Sequence, residues 1–323
     1  MKILVVGGAG YIGSHMVREL IAEGFDPLVF DNLSTGHEWA VPDGRLLQGD
    51  LADRKRLHEI FAAHSFDAVM HFASFIQVGE SVQEPLKYYR NNVANTLNLL
   101  EAMRDAGVTR FVFSSTAAVY GTPDTVPICE DAPLHPENPY GHSKLMIEQV
   151  LADCERAWSL RSARLRYFNA AGAHPDRRIG EAHDPESHLI PIILQVALGK
   201  REVITINGED YPTPDGTCTR DYIHVCDLAS AHTLALRALL DGRESMVYNL
   251  GNGTGYSIRQ VIDVCREVTG HPIPIAVGPR RAGDPAALVA SSEKITRELG
   301  WKPRYAELRM IVETAWEWHK KQG

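Results

Sequence analysis

Ser114, Ser115 and Thr116 close an apolar run, and twenty-four residues beyond Thr116 the segment Tyr140-Gly-His-Ser-Lys144 opens a stretch with helical periodicity. Tyr140 and Lys144 stand four apart, so on a helix both side chains emerge on one face. A free tyrosine titrates at about pH 10 and is a poor base at neutrality. An ammonium group a few ångström away stabilises the phenolate and moves it toward the working range. Thr116 can then hydrogen-bond the same substrate oxygen and relay its proton. A Tyr and a Lys one turn apart also occur on ordinary solvent-facing helices, and the choice between the two readings falls to the elements that must position them.

The first of these elements is at the start. A β-branched and aliphatic run over 2–6 breaks into Gly7, Gly10 and Gly13, spaced three apart, and continues through Tyr11 and Ile12 with apolar residues at helical spacing. This reads as strand, tight turn and helix, in which glycine lets the backbone approach a pyrophosphate and the helix N-terminus aims its amides at the negative charge. A second strand over 27–30 ends in Asp31, eighteen residues after Gly13. A carboxylate there accepts hydrogen bonds from an adenosine ribose and repels a 2′-phosphate, which favours NAD over NADP. Oxidised nicotinamide would add a second positive charge beside Tyr140.

Further along, Asn32, Leu33, Ser34, Thr35 and Gly36 form a polar turn able to close over the adenosine. Asp50, before Leu51, suits either the adenine edge or the N-cap of the next helix, a task Asp53 suits as well. A helix over 54–64 leads to a buried strand over 66–73 whose end, Phe72, Ala73, Ser74 and on to Ile76, would lie beside the cofactor. His71 reads as a core residue, and a long helix over 85–106 carries Asn91 and Asn92 on its early turns. Five strand and helix alternations predict an α/β fold, a Rossmann-like doubly wound parallel sheet with a smaller C-terminal α/β substrate-binding domain. The expected division is 1–169 for the dinucleotide and 170–323 for substrate, with about 217–250 packing back on the first.

At 323 residues the chain can form two lobes, and a net charge of −8 without a basic run excludes a nucleic-acid partner. Five scattered cysteines without a Cys-x-x-Cys pair point to a reduced cytoplasmic setting and no metal site. A leader segment and an apolar run of about eighteen residues are both lacking, so no membrane association is expected.

Gly7-x-x-Gly10-x-x-Gly13, Ser114-Ser-Thr116 and Tyr140-x-x-x-Lys144 together resemble the extended short-chain dehydrogenase/reductase family. The likeness to its UDP-sugar 4-epimerase branch runs along nearly the whole chain, through Asp31-Asn-Leu-Ser-Thr-Gly36, His71-Phe-Ala73, Tyr167-Phe-Asn-Ala-Ala-Gly172, Arg220-Asp-Tyr-Ile-His224 and Arg280-Arg-Ala-Gly-Asp284. Each motif is weak alone, but their order and spacing are specific. The resemblance implies that Tyr11 and Ile12, Asp31 to Gly36, Asp50, Leu51, Phe72 to Ile76, Asn91, Ser114, Lys144 and Phe168 surround NAD. It implies that Thr116 and Tyr140 face the sugar of a UDP-hexose. Asn169, His188, Leu189, Thr205, Asn207, Arg220, Arg281, Asp284 and Leu288 would hold the rest of that substrate. Some members carry lysine where Ile76 stands and asparagine where His188 stands.

The implied reaction is inversion at C4 between UDP-galactose and UDP-glucose through a 4-keto sugar, with NAD retained; UDP-N-acetylglucosamine, UDP-glucuronate or a UDP-pentose are the alternative substrates. Leu288, of intermediate size where members sort plain from N-acetylated sugars, leaves that choice open. Dehydratase relatives carry an Asp-Glu pair just after the Ser/Thr, and this chain has Ala117 and Ala118. A homodimer joined through helices of the first lobe is also implied.

Overall fold

The computed structural model describes residues 1–281 and 284–322; Ala282 and Gly283, within the run 280–284, lie outside the described residues. Among the described residues the strands are β1 (Lys2–Val6), β2 (Asp26–Asp31), β3 (Leu46–Gln48), β4 (Ala68–His71), β5 (Arg110–Thr116) and β6 (Arg161–Tyr167). There follow β7 (Asn169–Ala171), β8 (Ile204–Asn207), β9 (Thr219–His224), β10 (Met246–Leu250), β11 (Gly255–Ser257), β12 (Ile275–Gly278) and β13 (Ala287–Leu288). The chain divides into two compact units. Unit 1 comprises Met1–Gly121, Leu134–Arg166 and Ala229–Tyr248, and unit 2 comprises Thr122–Pro133, Tyr167–Leu228 and Asn249–Gly323.

Unit 1 is built on a seven-stranded sheet in the order β10-β6-β5-β4-β1-β2-β3. The pairs β1 with β2, β1 with β4, β2 with β3 and β4 with β5 are parallel. Ile3, Leu4 and Val5 are fully buried, as a strand covered on both faces requires. The chain order reverses between β1 and β4, and ligands of such sheets bind in the crevice at that reversal. Leu57, Ile60 and Phe61 of the helix Arg54–Ala63 share a core with Leu99, Leu100 and Met103 of Asn95–Asp105 and with Ile147 and Leu151 of Pro139–Trp158. The N-cap of Arg54–Ala63 is Asp53, which accepts from Arg56 N at 3.0 Å.

The expected single helix over 85–106 is three pieces: an α-turn Pro85–Tyr88, a π-helix Tyr89–Ala94 and an α-helix Asn95–Asp105. The widening centres on Asn92, whose amide binds both backbone groups of Phe75 (3.0 and 3.1 Å) and donates to Ser143 Oγ (3.1 Å). Its carbonyl accepts from Thr96 Oγ1 at 2.6 Å. A single-turn π-bulge of this kind is frequent at functional sites, and here it ties the segment after β4 to the helix Pro139–Trp158.

Unit 2 holds a four-stranded sheet, β11-β9-β13 with β7 also on β9, and a two-stranded β12-β8 pair. Its core is formed by Ile190, Ile193, Val261, Ile262, Ile311 and Val312, from the helices Leu189–Ala197, Ile258–Thr269 and Leu308–Gln322. The short segment 122–133 belongs here because Ile128 N donates to Val289 O and Ser291 N to Ile128 O, both at 2.8 Å. The segment 229–248 belongs to unit 1, where β10 flanks β6 and Arg110 Nε donates to Leu239 O at 3.2 Å. Among the described residues no helix is long and apolar enough to cross a membrane.

Candidate active site

The glycine turn follows from packing. Gly7 takes a left-handed φ of 78°, and a Cβ there would lie 2.4 Å from Ala73 N. A Cβ on Gly13 would lie 2.1 Å from Gly7 O, so any side chain would push the first helix off the turn. Gly10 differs: its φ of −78° suits any residue, and a Cβ would meet only Gly7 O at 3.5 Å. The open space beside Gly10 is part of a cleft at the mouth of β1, β2 and β4. No side chain caps the helix Tyr11–Ala22 above it. The turn therefore points the helix N-terminus at a space that an anion can fill.

Of the expected cofactor residues, Gly7, Gly10, Asp31, Asn32, Ser34, Thr35, Gly36, Asp50, Leu51, Phe72, Ala73, Ser74 and Asn91 line this cleft. Phe75, within the expected run Phe72 to Ile76, lines it too, as do Gly49 and Asn95, which were not foreseen from the sequence. Tyr11 and Ile12 form the first helical turn, and Leu33, at a φ of 59°, bends the loop after β2. Ile76 is 41% exposed and is not among the lining residues, because the chain turns outward into the helix Val78–Gln83. Asp31 is buried, with Oδ2 accepting from Ala9 N (2.9 Å) and Oδ1 from Leu33 N (2.8 Å). Burial pushes its carboxyl above the ordinary value against these amides, and each oxygen keeps a lone pair for a further donor. Asp50 binds Ala52 N and Asn32 Nδ2, both at 2.7 Å, so it braces the cleft wall and leaves the helix cap to Asp53.

The acid–base group sits at the end of β5. Thr116 is buried, accepts from Ala118 N at 3.1 Å and is hydrogen-bonded to the Tyr140 hydroxyl. Burial raises the Tyr140 phenol above its ordinary value, with the Thr116 contact opposing. Asn138 caps the helix that carries Tyr140, accepting from Gly141 N at 2.9 Å. One turn on, Lys144 Nζ donates to Ser74 Oγ (2.8 Å) and Ser114 O (2.7 Å). Its burial brings its pKa down to about 7, opposed by the charge of Glu148.

Glu148 and Arg166 were missed in the sequence. Arg166 forks onto Glu148 through Nε (3.0 Å) and Nη2 (2.6 Å), Ser115 Oγ joins at 2.5 Å, and Arg166 Nη1 reaches the Tyr120 hydroxyl at 2.9 Å. Both ion-pair side chains are 5% exposed. The signal for Glu148 was its place one further turn along the Tyr140 and Lys144 face; Arg166 left none.

In unit 2, Arg220 pairs with Asp284 and donates to Thr219 O at 2.7 Å. Asn207, with its amide turned to suit its partners, accepts from Nε and Nη2 of the exposed Arg281 at 3.2 Å. Arg220, Arg281 and Asp284 all lie near enough to Cys218 to bear on its ionisation, so the two guanidinium groups share one neighbourhood with that carboxylate. Leu288 lies in register with Arg220 on the adjacent strand, and Thr205 is an exposed residue of β8. Asn169 Nδ2 donates to Asp221 O at 2.8 Å, and Phe168 stands half-buried before it. Leu189 opens its helix, and His188 turns Nδ1 to Glu186 Oε1 at 2.9 Å.

A parallel sheet with a glycine turn at its reversal point, an acid closing β2 and a Ser/Thr, Tyr, Lys group at β5 together define a dinucleotide-binding protein of the dehydrogenase type. More particularly, the chain belongs to the NAD dependent epimerase/dehydratase family, whose model matches residues 3–251. It is 56% identical to a UDP-glucose 4-epimerase of Halalkalibacterium halodurans over 99% of this chain and 96% of that one. Among solved structures it is similar to UDP-glucose 4-epimerase from Brucella ovis in complex with NAD, at a TM-score of 0.95 and 48% identity, covering 98% of this chain and 97% of that one. It is also similar to the enzyme from Bifidobacterium longum in complex with NAD+ and UDP, at a TM-score of 0.94 and 40% identity, covering 99% and 98%.

Proposed function

We propose that the protein is an NAD-dependent UDP-glucose 4-epimerase, an isomerase interconverting UDP-galactose and UDP-glucose through a transient 4-keto sugar. The observation that carries this reading is likeness along the whole chain, both units included, to enzymes of that activity. NAD fits the cleft of unit 1: the space a Cβ on Gly10 would enter is open to a pyrophosphate, and Asp31 has lone pairs left for a ribose. When bound, NAD supplies reversible two-electron oxidation at C4.

The residues do the rest. Tyr140, as phenolate, takes the proton from the 4-hydroxyl and returns it to the same oxygen when the sugar has turned its other face. The Lys144 ammonium stabilises that phenolate, and Thr116 holds the hydroxyl in line by bonding Tyr140. Arg220 and Arg281 match a diphosphate with planar forks, with Asn207 and Asp284 fixing their orientation. Inversion requires firm anchoring of the nucleotide and few directed contacts to the hexose, so that the keto sugar can rotate about its link to UDP.

The same reading makes unit 1 the NAD-binding part and unit 2 the UDP-sugar-binding part. It includes a homodimer and a cytoplasmic setting, the latter supported by five free cysteines. The test is to incubate untagged protein with UDP-galactose, adding no cofactor, and follow UDP-glucose by proton NMR. Interconversion is expected. No reaction even after NAD is supplied would remove the hexose assignment and bring UDP-glucuronate and UDP-pentoses forward.

A further inference from the structure

Eight residues of unit 2, just before the helix Leu189–Ala197, contain Glu181, His183, Glu186 and His188. One donor atom from each lies within 4.8 Å of the other three. Glu181 Oε1 and Glu186 Oε1 both stand 2.9 Å from His188 Nδ1, and His183 Nδ1 is 3.2 Å from Glu181 Oε1 and 3.8 Å from Glu186 Oε2. Four ligands at about 2.0–2.2 Å from a tetrahedral zinc ion are separated by edges of about 3.3–3.6 Å. The observed spacings bracket that edge, and both imidazoles turn the same nitrogen, Nδ1, inward.

Hydrogen bonding among the four accounts for only part of the arrangement. The single Nδ1–H of His188 is directed at Glu186 Oε1. Glu181 Oε1, 2.9 Å from that nitrogen and 3.2 Å from His183 Nδ1, receives no well-aligned N–H, although its side chain is only 4% exposed. A buried carboxylate oxygen without an aligned donor is costly, and a cation at the centre satisfies it. Two carboxylates and two neutral imidazoles around a divalent ion sum to zero, so the ion adds no uncompensated buried charge.

The frame around the four is fixed. Trp318 Nε1 donates to Glu181 O at 3.1 Å, and a Cβ on Gly180 would lie 2.4 Å from the Trp318 ring. Glu186 Oε1 also accepts from Ser187 N and His188 N, both at 2.8 Å, which sets the angle of its carboxylate. We propose that Glu181, His183, Glu186 and His188 form a tetrahedral Zn2+ site that clamps this loop onto the start of the following helix. The set is closed, with four protein donors and no open position, which is the pattern of a structural rather than a catalytic ion. The expectation of no metal rested on the cysteines and did not weigh a mixed His and Glu spacing. The inference is independent of the UDP-sugar reading.

The test uses full-length untagged protein, stripped with a chelator, reloaded with Zn2+ alone and desalted. One zinc per chain is expected by mass spectrometry of the metal, retained against excess Mg2+, with an anomalous peak at the zinc edge between the four side chains in crystals of the wild type. His183→Asn and Glu181→Gln should each weaken zinc binding by at least about 100-fold, given that losing even an outer partner of a ligand costs about 10–100-fold. Wild type that holds no stoichiometric zinc, or an anomalous peak elsewhere, overturns the site, as do folded variants that keep full affinity.

Discussion

Lys144 is held by opposing forces: burial disfavours its charged form and brings its pKa down to about 7, while Glu148, one turn further along the helix, favours that form. Glu148 is itself tied down by Arg166, so a structural ion pair stands directly behind the acid–base group. Removing one member of such a pair leaves a buried charge uncompensated, and Glu148→Ala should destabilise the protein by about 3–5 kcal/mol, read from the urea or thermal midpoint. Tyr140→Phe is the complementary case. It removes only the proton carrier, so turnover should fall by about 10²–10⁴-fold while NAD remains with the protein through gel filtration; near-normal turnover would take Tyr140 out of the mechanism. The Tyr140 and Lys144 pair was legible because helical spacing alone puts them on one face. Glu148 lay on the same face and could have been read. Arg166 could not, since only the sheet brings a residue of β6 to that helix.

The glycine turn separates two duties that look alike in sequence. Gly13 is glycine because the helix backbone comes too close to Gly7 for a Cβ, whereas Gly10 faces open space in the cleft. Gly13→Ala should therefore cost about 1–3 kcal/mol of stability through overpacking. Gly10→Ala should cost less, at most about 1 kcal/mol from the poorer N-cap, but weaken NAD binding in a titration; equal stability losses in both variants would contradict this division. Strands and helices of unit 1 were legible because a sheet buried on both faces writes continuous apolar runs and its helices write a 3.6-residue period. The interruption over Tyr89–Ala94 was not legible. Asn92 there trades helical regularity for bonds to Phe75 and Ser143, partners distant in sequence, and periodicity carries no trace of them.

For the whole molecule, the exposed apolar side chains of unit 1 carry a prediction. Leu86, 72% exposed, and Met146, 41%, lie on the segments near 85–106 and after Tyr140 that are expected to join two copies, and Val82, 62% exposed, lies on the preceding helix Val78–Gln83. Sedimentation velocity at micromolar concentration should show a dimer that Leu86→Glu weakens; a wild-type monomer would set the dimer aside. The units themselves were only partly legible. The change in pattern near 169 and a return of about 217–250 to the first unit are visible in the sequence, but that 122–133 joins unit 2 through Val289 depends on hydrogen bonds between distant residues.

That return has a consequence for synthesis. Each unit is assembled from three segments, so the chain passes between them five times, and the sheet of unit 1 lacks its β10 edge until residue 250 has emerged from the ribosome. A nascent chain of 1–169 holds every group proposed for acid–base chemistry yet leaves β6 with unpaired backbone, a template for association with other chains. Expressed as a fragment, 1–169 should aggregate where the full chain does not, measured as the soluble fraction after centrifugation. Neither half can be inherited or engineered as a free-standing module: the nucleotide fold is finished by residues that arrive only after about half of its partner has been made.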